Sequence, residues 1–382
     1  MTDYIKQQVA LHPSITPQDA LKMCFQAAFG AEHLLTDMGK VEGYFAREYE
    51  GCQPTDEPLF EMIAPEVCRV NLAAWKKLNL PPAWLFRLFV EAAASVRLPD
   101  SNARFFEYVN EWSEFVRKNG QALAFSFAEF EAAVAEYLTA CGGKLQAVHH
   151  SPQYREAEKP AYRVISGVHV RLVPVLAALA GRTGGVIAID GRAASGKSTL
   201  ATALKDVIDG EVVHMDDFFL PKALRTEARM KEAGGNIHYE RFLEEVVIRL
   251  QDHKCNINQL AGCAAAASNP QPYETNDAHE KCHNTHPPIT HRIFNCQTMD
   301  YDGVRTIPPT PWLIVEGSYS QHPHFSDYAD IRIFSTVDPQ LQMERITARN
   351  GKTMAQKFAT TWIPMEEAYF TAYQIAKKSH TV

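Results

Sequence analysis

Long apolar runs are missing from this chain of 382 residues. None approaches the roughly 18 residues that a membrane-spanning helix needs, so a helical membrane protein is not expected. The opening residues, MTDYIKQQVALHP, carry no apolar core of signal-peptide length. An excess of basic charge is missing too. Lys and Arg number 38 against 45 Asp and Glu, a net charge of −7, which argues against a dominant nucleic-acid-binding surface. The eight cysteines (Cys24, Cys52, Cys68, Cys141, Cys255, Cys263, Cys282 and Cys296) contain no C-x2-C pair. Without a secretory leader they read as free thiols of a reducing cytoplasm. What remains is ordinary globular protein, 46% apolar and 22% charged, long enough for two or three domains.

Period-2 alternation is also lacking over the first ~140 residues, and helix signals stand in its place. Thr16-Pro17-Gln18-Asp19 supplies an N-cap, a proline at the first helical position and an acid three residues after the cap. Leu21, Phe25 and Ala28 follow at helical spacing. A second helix is expected over Ala83–Val96. A third begins at the capping box Ser126-Phe127-Ala128-Glu129 and stops at Gly142-Gly143. Residues 1–143 therefore read as an all-α domain. Within it Glu32 and His33 are adjacent and cannot share a helix face. A metal role for them would need partners such as Glu61 or Glu66, and capping or core packing is the plainer reading.

Lys144–Arg163 is polar and contains Pro152 and Pro160, within residues 144–182. They read as a linker with a connecting helix. His149, His150, Tyr154, Arg155, Tyr162 and Arg163 lie within it, where they could bind a phosphate or stiffen the link. From 183 onward the pattern changes. Short β-branched runs (Val186–Asp190, Glu211–His214, Trp312–Val315, Ile331–Thr336) alternate with helical stretches (Lys197–Val207, Tyr239–Leu250, Pro339–Arg349, Met365–Lys378), the signature of a parallel sheet covered by helices. Between 251 and 291 no period is sustained, and the segment reads as an insertion. Its Cys255, Cys263, Cys282, His279, His283 and His286 invite a zinc proposal that the spacing does not support.

One stretch carries chemistry. Gly191-Arg192-Ala193-Ala194-Ser195-Gly196-Lys197-Ser198, with Thr199 next, fits G-x4-G-K-[ST] at every fixed position. With ordinary glycine usage a chance match is about one in a hundred, and the preceding β-branched run and following helix cut that further. Loop amides and a helix N-terminus form an anion cradle. Lys197 adds charge for the β- and γ-phosphates, and Ser198 offers a hydroxyl to Mg²⁺. ATP and Mg²⁺ are the expected cofactors. Downstream, Val212–Pro221 ends a strand in Asp216-Asp217. A carboxylate there could take a proton from an attacking hydroxyl or hold Mg²⁺, the alternative being a surface N-cap. Leu313-Ile314-Val315-Glu316-Gly317 ends another strand in an acid suited to the magnesium side. Arg345 and Arg349 lie four apart on one helix face, placed either to stabilise transferring phosphate or to pair with acids at the surface.

The segments "DGRAASGKSTLA", "VVHMDDFFLP", "GGNIHYERF", "LIVEGSYS" and "ERITARNG" resemble, in order, those of uridine kinase-like proteins of the P-loop kinase superfamily, over roughly Thr183–Lys378. The resemblance implies an α/β P-loop NTPase fold. It makes Asp216 the base for an acceptor hydroxyl, with Asp217 the lesser choice. It makes Glu316 a magnesium-side acid and Arg345 and Arg349 phosphate contacts. On the substrate side the sequence departs from the family. His238 stands near the place of an acid that holds ribose hydroxyls. In the base-reading segment the aromatic survives as Phe294, the acid becomes Asn295, and the histidine is missing. Asp217, Phe219, His238 and Phe294 are the candidate substrate residues. The expected activity is phosphoryl transfer from ATP to a hydroxyl of a small molecule, a nucleoside or related metabolite. The alternatives are a kinase for a non-nucleoside alcohol, and a nucleotide-dependent coupling module whose helical domain meets a partner. Neither nucleic acid nor a membrane is an expected partner, and a homo-oligomer stays open.

Overall fold

The chain divides into two units, Met1–Ala180 and Gly181–Val382. The computed structural model describes residues 2–30, 38–95, 100–251 and 288–382. Glu32, His33 and the cysteines and histidines of the insertion lie outside the described residues. The five described cysteines are free thiols. Among the described residues no helix is long and apolar enough to cross a membrane.

The first unit carries helices α1 (Thr2–Leu11), α2 (Pro17–Phe29), α3 (Met38–Gly51), strands β1 (Phe60–Ala64) and β2 (Val67–Asn71), then α4 (Leu72–Lys77), α5 (Pro82–Ser95), α6 (Ser101–Asn119), α7 (Phe127–Cys141), α8 (Pro152–Glu158), β3 (Tyr162–Ser166) and α9 (Leu172–Ala178). The expectation of an all-α domain is corrected here, because β1, β2 and β3 form an antiparallel sheet in that order. The reason is burial on both faces. Val67, Cys68, Arg69 and Val70 are all buried, and with the charged Arg69 turned inward over a strand of five residues polarity marks no solvent face of β2. The stretch read as a linker supplies α8 and β3 to this same unit. Both capping boxes form. Thr16 accepts the Asp19 amide while Asp19 accepts the Thr16 amide, and Ser126 and Glu129 do the same. Gly142 ends α7 in the left-handed region.

A polar network runs through the core of this unit. Arg69 donates to Gln26 Oε1 from Nε and Nη2 (3.1 and 2.7 Å) and to Gln8 Oε1 from Nη1 (2.8 Å). Its guanidinium lies over the Tyr162 ring. Asp19 accepts from Ser151 Oγ at 2.7 Å and from His150 Nδ1 at 2.7 Å, and His150 stacks flat on Tyr154 at 4.4 Å. With Tyr162 donating to His150 Nε2 (2.6 Å), the imidazole is neutral and protonated on Nδ1. Burial opposes the Asp19 charge, but the bonds from His150, Ser151 and Thr16 outweigh it and hold the carboxyl at about 2. Burial drives His150 down to about 4. Its folded pKa lies below the unfolded value of ~6.5, so the unfolded chain takes up the proton first. Stability therefore falls as pH drops from 6.5 to 4, by at most about 3 kcal/mol from this group. His150→Gln is expected to flatten that part of the curve. Urea midpoints between pH 4 and 7 check it, and parallel curves for the two proteins would refute the assignment.

The second unit is built on a parallel sheet. Its strands are β4 (Gly185–Gly191), β5 (Gly210–His214), β8 (Trp312–Glu316), β9 (Ile331–Ser335) and the short β10 (His380–Thr381), in the order β10-β9-β4-β8-β5. All four pairings are parallel. Between the strands run α10 (Lys197–Ile208), α11 (Glu227–Lys231), α12 (Tyr239–Phe242), a hairpin of β6 (Ile289–Asn295) and β7 (Asp300–Ile307), and the C-terminal helices α13 (Pro339–Lys357) and α14 (Ile363–Tyr373). Central β4 shows a continuous buried run, Val186–Ile189, as a strand covered on both faces requires. From β4 the chain passes to the edge strand β5, returns to β8 between them and then crosses to β9 on the other side of β4. In open α/β sheets ligands bind at the carboxyl ends of the strands beside such a reversal.

Candidate active site

The expected phosphate loop begins where β4 ends. Gly191 has φ 141°, and a Cβ there would lie 2.0 Å from the Ser335 carbonyl oxygen. This glycine is thus required by the neighbouring strand β9. Gly196 (φ 89°) turns the chain into α10, whose N-terminus has no side-chain cap, leaving its amides directed at whatever lies in the loop. Lys197 folds over the loop, and its Nζ donates to the carbonyls of Gly191 (2.8 Å) and Arg192 (2.9 Å). Buried Asp190 anchors the loop from below. It accepts the amides of Gly191, Tyr319 and Gln321 and the Tyr369 hydroxyl at 2.7 Å. Burial lifts its carboxyl to about 6.

Ser198 and Glu316 come together, as the motif order suggested. The Ser198 hydroxyl donates to the Glu316 carboxylate, 3.1 Å from each oxygen. His214 Nδ1 lies 2.6 Å from Glu316 Oε1, and this bond raises the His214 pKa ahead of the opposing burial. A hydroxyl and a carboxylate side by side are hard oxygen donors, which suits Mg²⁺ held jointly with substrate phosphates. Among the described residues no three His, Cys, Asp or Glu side chains cluster into a metal cage of their own.

The two adjacent acids part company. Asp216 is exposed yet crowded by surrounding protein, as on the wall of a cleft. That crowding raises its pKa first, and Glu316 adds to the rise against Lys197 and His214. Asp217 is buried and occupied. His291 Nε2 lies 3.0 Å from Oδ2, and Arg305 Nη1 donates to the same oxygen at 2.7 Å. The Asp217 carbonyl also accepts from Arg241, a fully buried guanidinium lying over Phe218. Asp217 therefore builds the wall that presents Asp216.

The two candidate arginines behave differently. Arg345 Nη1 donates to the Ala194 carbonyl at 3.2 Å, on the loop's rim. Arg349 Nε donates instead to Asn350 Oδ1, one residue before the non-helical Gly351 (φ 77°) that interrupts α13. The rim has further ties to the C-terminal helices. Glu366 Oε2 accepts the Ala193 amide (2.9 Å), Gln342 donates to the Ala193 carbonyl (3.0 Å), and Glu367 pairs with Arg192 (3.2 Å). Burial raises the Glu366 pKa against the pull of Lys197.

Of the candidate substrate residues, Phe219 and Phe294 meet edge to face at 6.3 Å. His238 is spent locally. It caps α12, with Nδ1 accepting the Arg241 amide. Sequence reasoning missed the hairpin that brings His291 and Arg305 to Asp217. The alternation through Ile289–Asn295 and Asp300–Ile307 was its available signal. Asp190, Gln342 and Glu366 left none, because each acts across more than a hundred residues of chain.

Two solved structures are similar to this chain at low identity. One is described as "a Possible Uridine Kinase from Bacillus stearothermophilus", with 17% identity over 55% of this chain and 95% of that one, and a TM-score of 0.37. The other is a "putative fructose transport system kinase from Silicibacter sp. TM1040", with 19% identity over 53% and 94% of the two chains, and a TM-score of 0.35. No family model matches the chain, and no curated protein does.

Proposed function

We propose that this protein transfers the γ-phosphoryl group of ATP to a hydroxyl of a small molecule. One observation carries the reading. An anion-binding loop with its lysine, the Ser198–Glu316 oxygen pair and an accessible acid all stand at the carboxyl ends of adjacent parallel strands. The amides of 194–199 and Lys197 would hold the phosphates, and Ser198 with Glu316 would hold Mg²⁺. The metal would neutralise phosphate charge. Asp216 takes the proton of the acceptor hydroxyl as its oxygen bonds to phosphorus. The bond from that phosphorus to the bridging oxygen breaks, and ADP leaves with the electron pair. Arg345, already on the loop's rim, meets the charge that develops.

Lys197→Ala tests the loop. Its ammonium lies on the loop carbonyls, whereas the loop's Arg192 is paired with Glu367, so ATP affinity is expected to fall about 10- to 100-fold. Calorimetric titration of the full chain with Mg-ATP reads this directly. Unchanged affinity would place nucleotide elsewhere. Tight binding without ADP release from any alcohol would favour the nucleotide-dependent coupling role over catalysis.

A further inference from the structure

The phosphate loop contains a turn that its own residues do not favour. The Ser195 amide donates to the Arg192 carbonyl at 3.1 Å, so residues 192–195 close a turn. Its third residue, Ala194, sits at φ 56°. Glycine takes that left-handed conformation freely and alanine does not. Such a turn has an alternative form, in which the central peptide between Ala193 and Ala194 is flipped and the third residue returns to negative φ. The flip exchanges the sides on which the carbonyl and the N–H lie, because a planar trans peptide points them in opposite directions. Alanine at this position therefore leaves the central peptide to be held from outside.

Two buried side chains hold it. Gln342 on α13 donates from Nε2 to the Ala193 carbonyl at 3.0 Å. Glu366 on α14 accepts the Ala193 amide on Oε2 at 2.9 Å, and its Oε1 accepts from Ser318 Oγ at 2.7 Å. Both backbone polar groups of Ala193 are thus engaged by residues outside the loop. Burying an amide and a carboxylate is costly unless these bonds are made. The grip is apolar as well. Ala193 and Ala194 pack in one cluster with Met343 and Ile346 of α13 and Ile363 of α14. Gln342 and Ile346, four apart, share a face of that helix. The alanine methyl is part of this packing, and a glycine would lack it.

With the Ala193 carbonyl drawn to Gln342, the Ala194 N–H points to the opposite side of the peptide. We infer that Gln342 and Glu366 are positioning residues for the nucleotide, fixing Ala193 so that the central peptide of the loop presents its N–H, and not its carbonyl, to the phosphates. A carbonyl oxygen turned that way would repel phosphate charge and take one donor from the cradle. The inference rests on the reading above that this loop holds the phosphates of ATP.

The test is the Mg-ATP affinity of the full chain, read by calorimetric titration in a double-mutant cycle. Gln342→Met keeps the side chain's length and a good helix former and removes the donor. It should weaken Mg-ATP binding about tenfold, as the flipped turn becomes the main form. Ala194→Gly alone should stay within about threefold of the parent. In the Ala194→Gly background the left-handed conformation is no longer strained, and there Gln342→Met should weaken binding by no more than about twofold. A residue that merely braces α13 would give the same loss in both backgrounds, and that result would overturn the inference. So would a Gln342→Met chain that binds Mg-ATP as the parent does. If thermal unfolding shows that Gln342→Met does not fold, Glu366→Met goes through the same cycle with the same expected and overturning results. A parent chain that does not bind Mg-ATP would sink the kinase reading and this inference together. Binding by the parent with no loss in the variants would sink the positioning role alone.

Discussion

Asp216→Asn is expected to lower kcat for phosphoryl transfer by about 10³-fold or more while leaving ATP affinity within about threefold. The amide keeps the shape of the carboxylate and loses its ability to take a proton. Asp216 is the one of the two adjacent acids that an acceptor can reach, being exposed, whereas Asp217 is held by His291 and Arg305. Its raised pKa, caused first by crowding and then by Glu316, brings it closer to the working range of a general base at neutral pH. Single-turnover ADP formation and Mg-ATP titration of the same variant separate the two effects. A variant that keeps a tenth of the rate would remove Asp216 from the reaction.

Gly191→Ala is expected to cost about 3 kcal/mol or more of stability, enough to lower the yield of folded protein. Two effects add. The backbone sits at φ 141°, where an L side chain is strained, and the new methyl would meet the Ser335 carbonyl at 2.0 Å. Backbone atoms of two paired strands cannot yield as a flexible side chain can. The same carbonyl accepts the Arg192 amide, so relief by moving β9 would also break the first bond of the loop. Thermal unfolding checks this. A variant as stable as the parent would show that the loop's entry is soft. Activity is the wrong readout for this change, because nucleotide contact and strand packing would fail together.

The geometry of the candidate site was legible wherever covalent spacing sets it. The loop from Gly191 to Ser198 is local, and its lysine and serine follow from the turn into α10. Asp216 and Glu316 were legible because each ends a strand, and parallel strands deliver their carboxyl ends to one edge. Helical spacing put Arg345 and Arg349 on one face, but it did not show that Arg345 meets the Ala194 carbonyl while Arg349 turns to Asn350 ahead of the break at Gly351. What stayed hidden depends on distant partners. Asp217 looked like a second catalytic acid until the hairpin filled its oxygens. Glu366 and Gln342 grip the Ala193 peptide from helices about 150 residues downstream. In the first unit, β2 is only five residues long and buries its charged Arg69, and β3 is separated from it by five helices, α4 to α8.

That last arrangement bears on how the protein is made. Val67 faces Ser166 across the β2–β3 ladder, so the central strand of the first sheet waits for nearly the whole unit to be synthesised before its second edge is paired. Until then β2 has one open edge, and closing it means bringing together segments far apart in the chain, a slow event for folding. During translation the growing chain would hold helices such as α1 and α2 against an unfinished sheet. That interval is when a nascent polypeptide of this design most needs a chaperone's shelter.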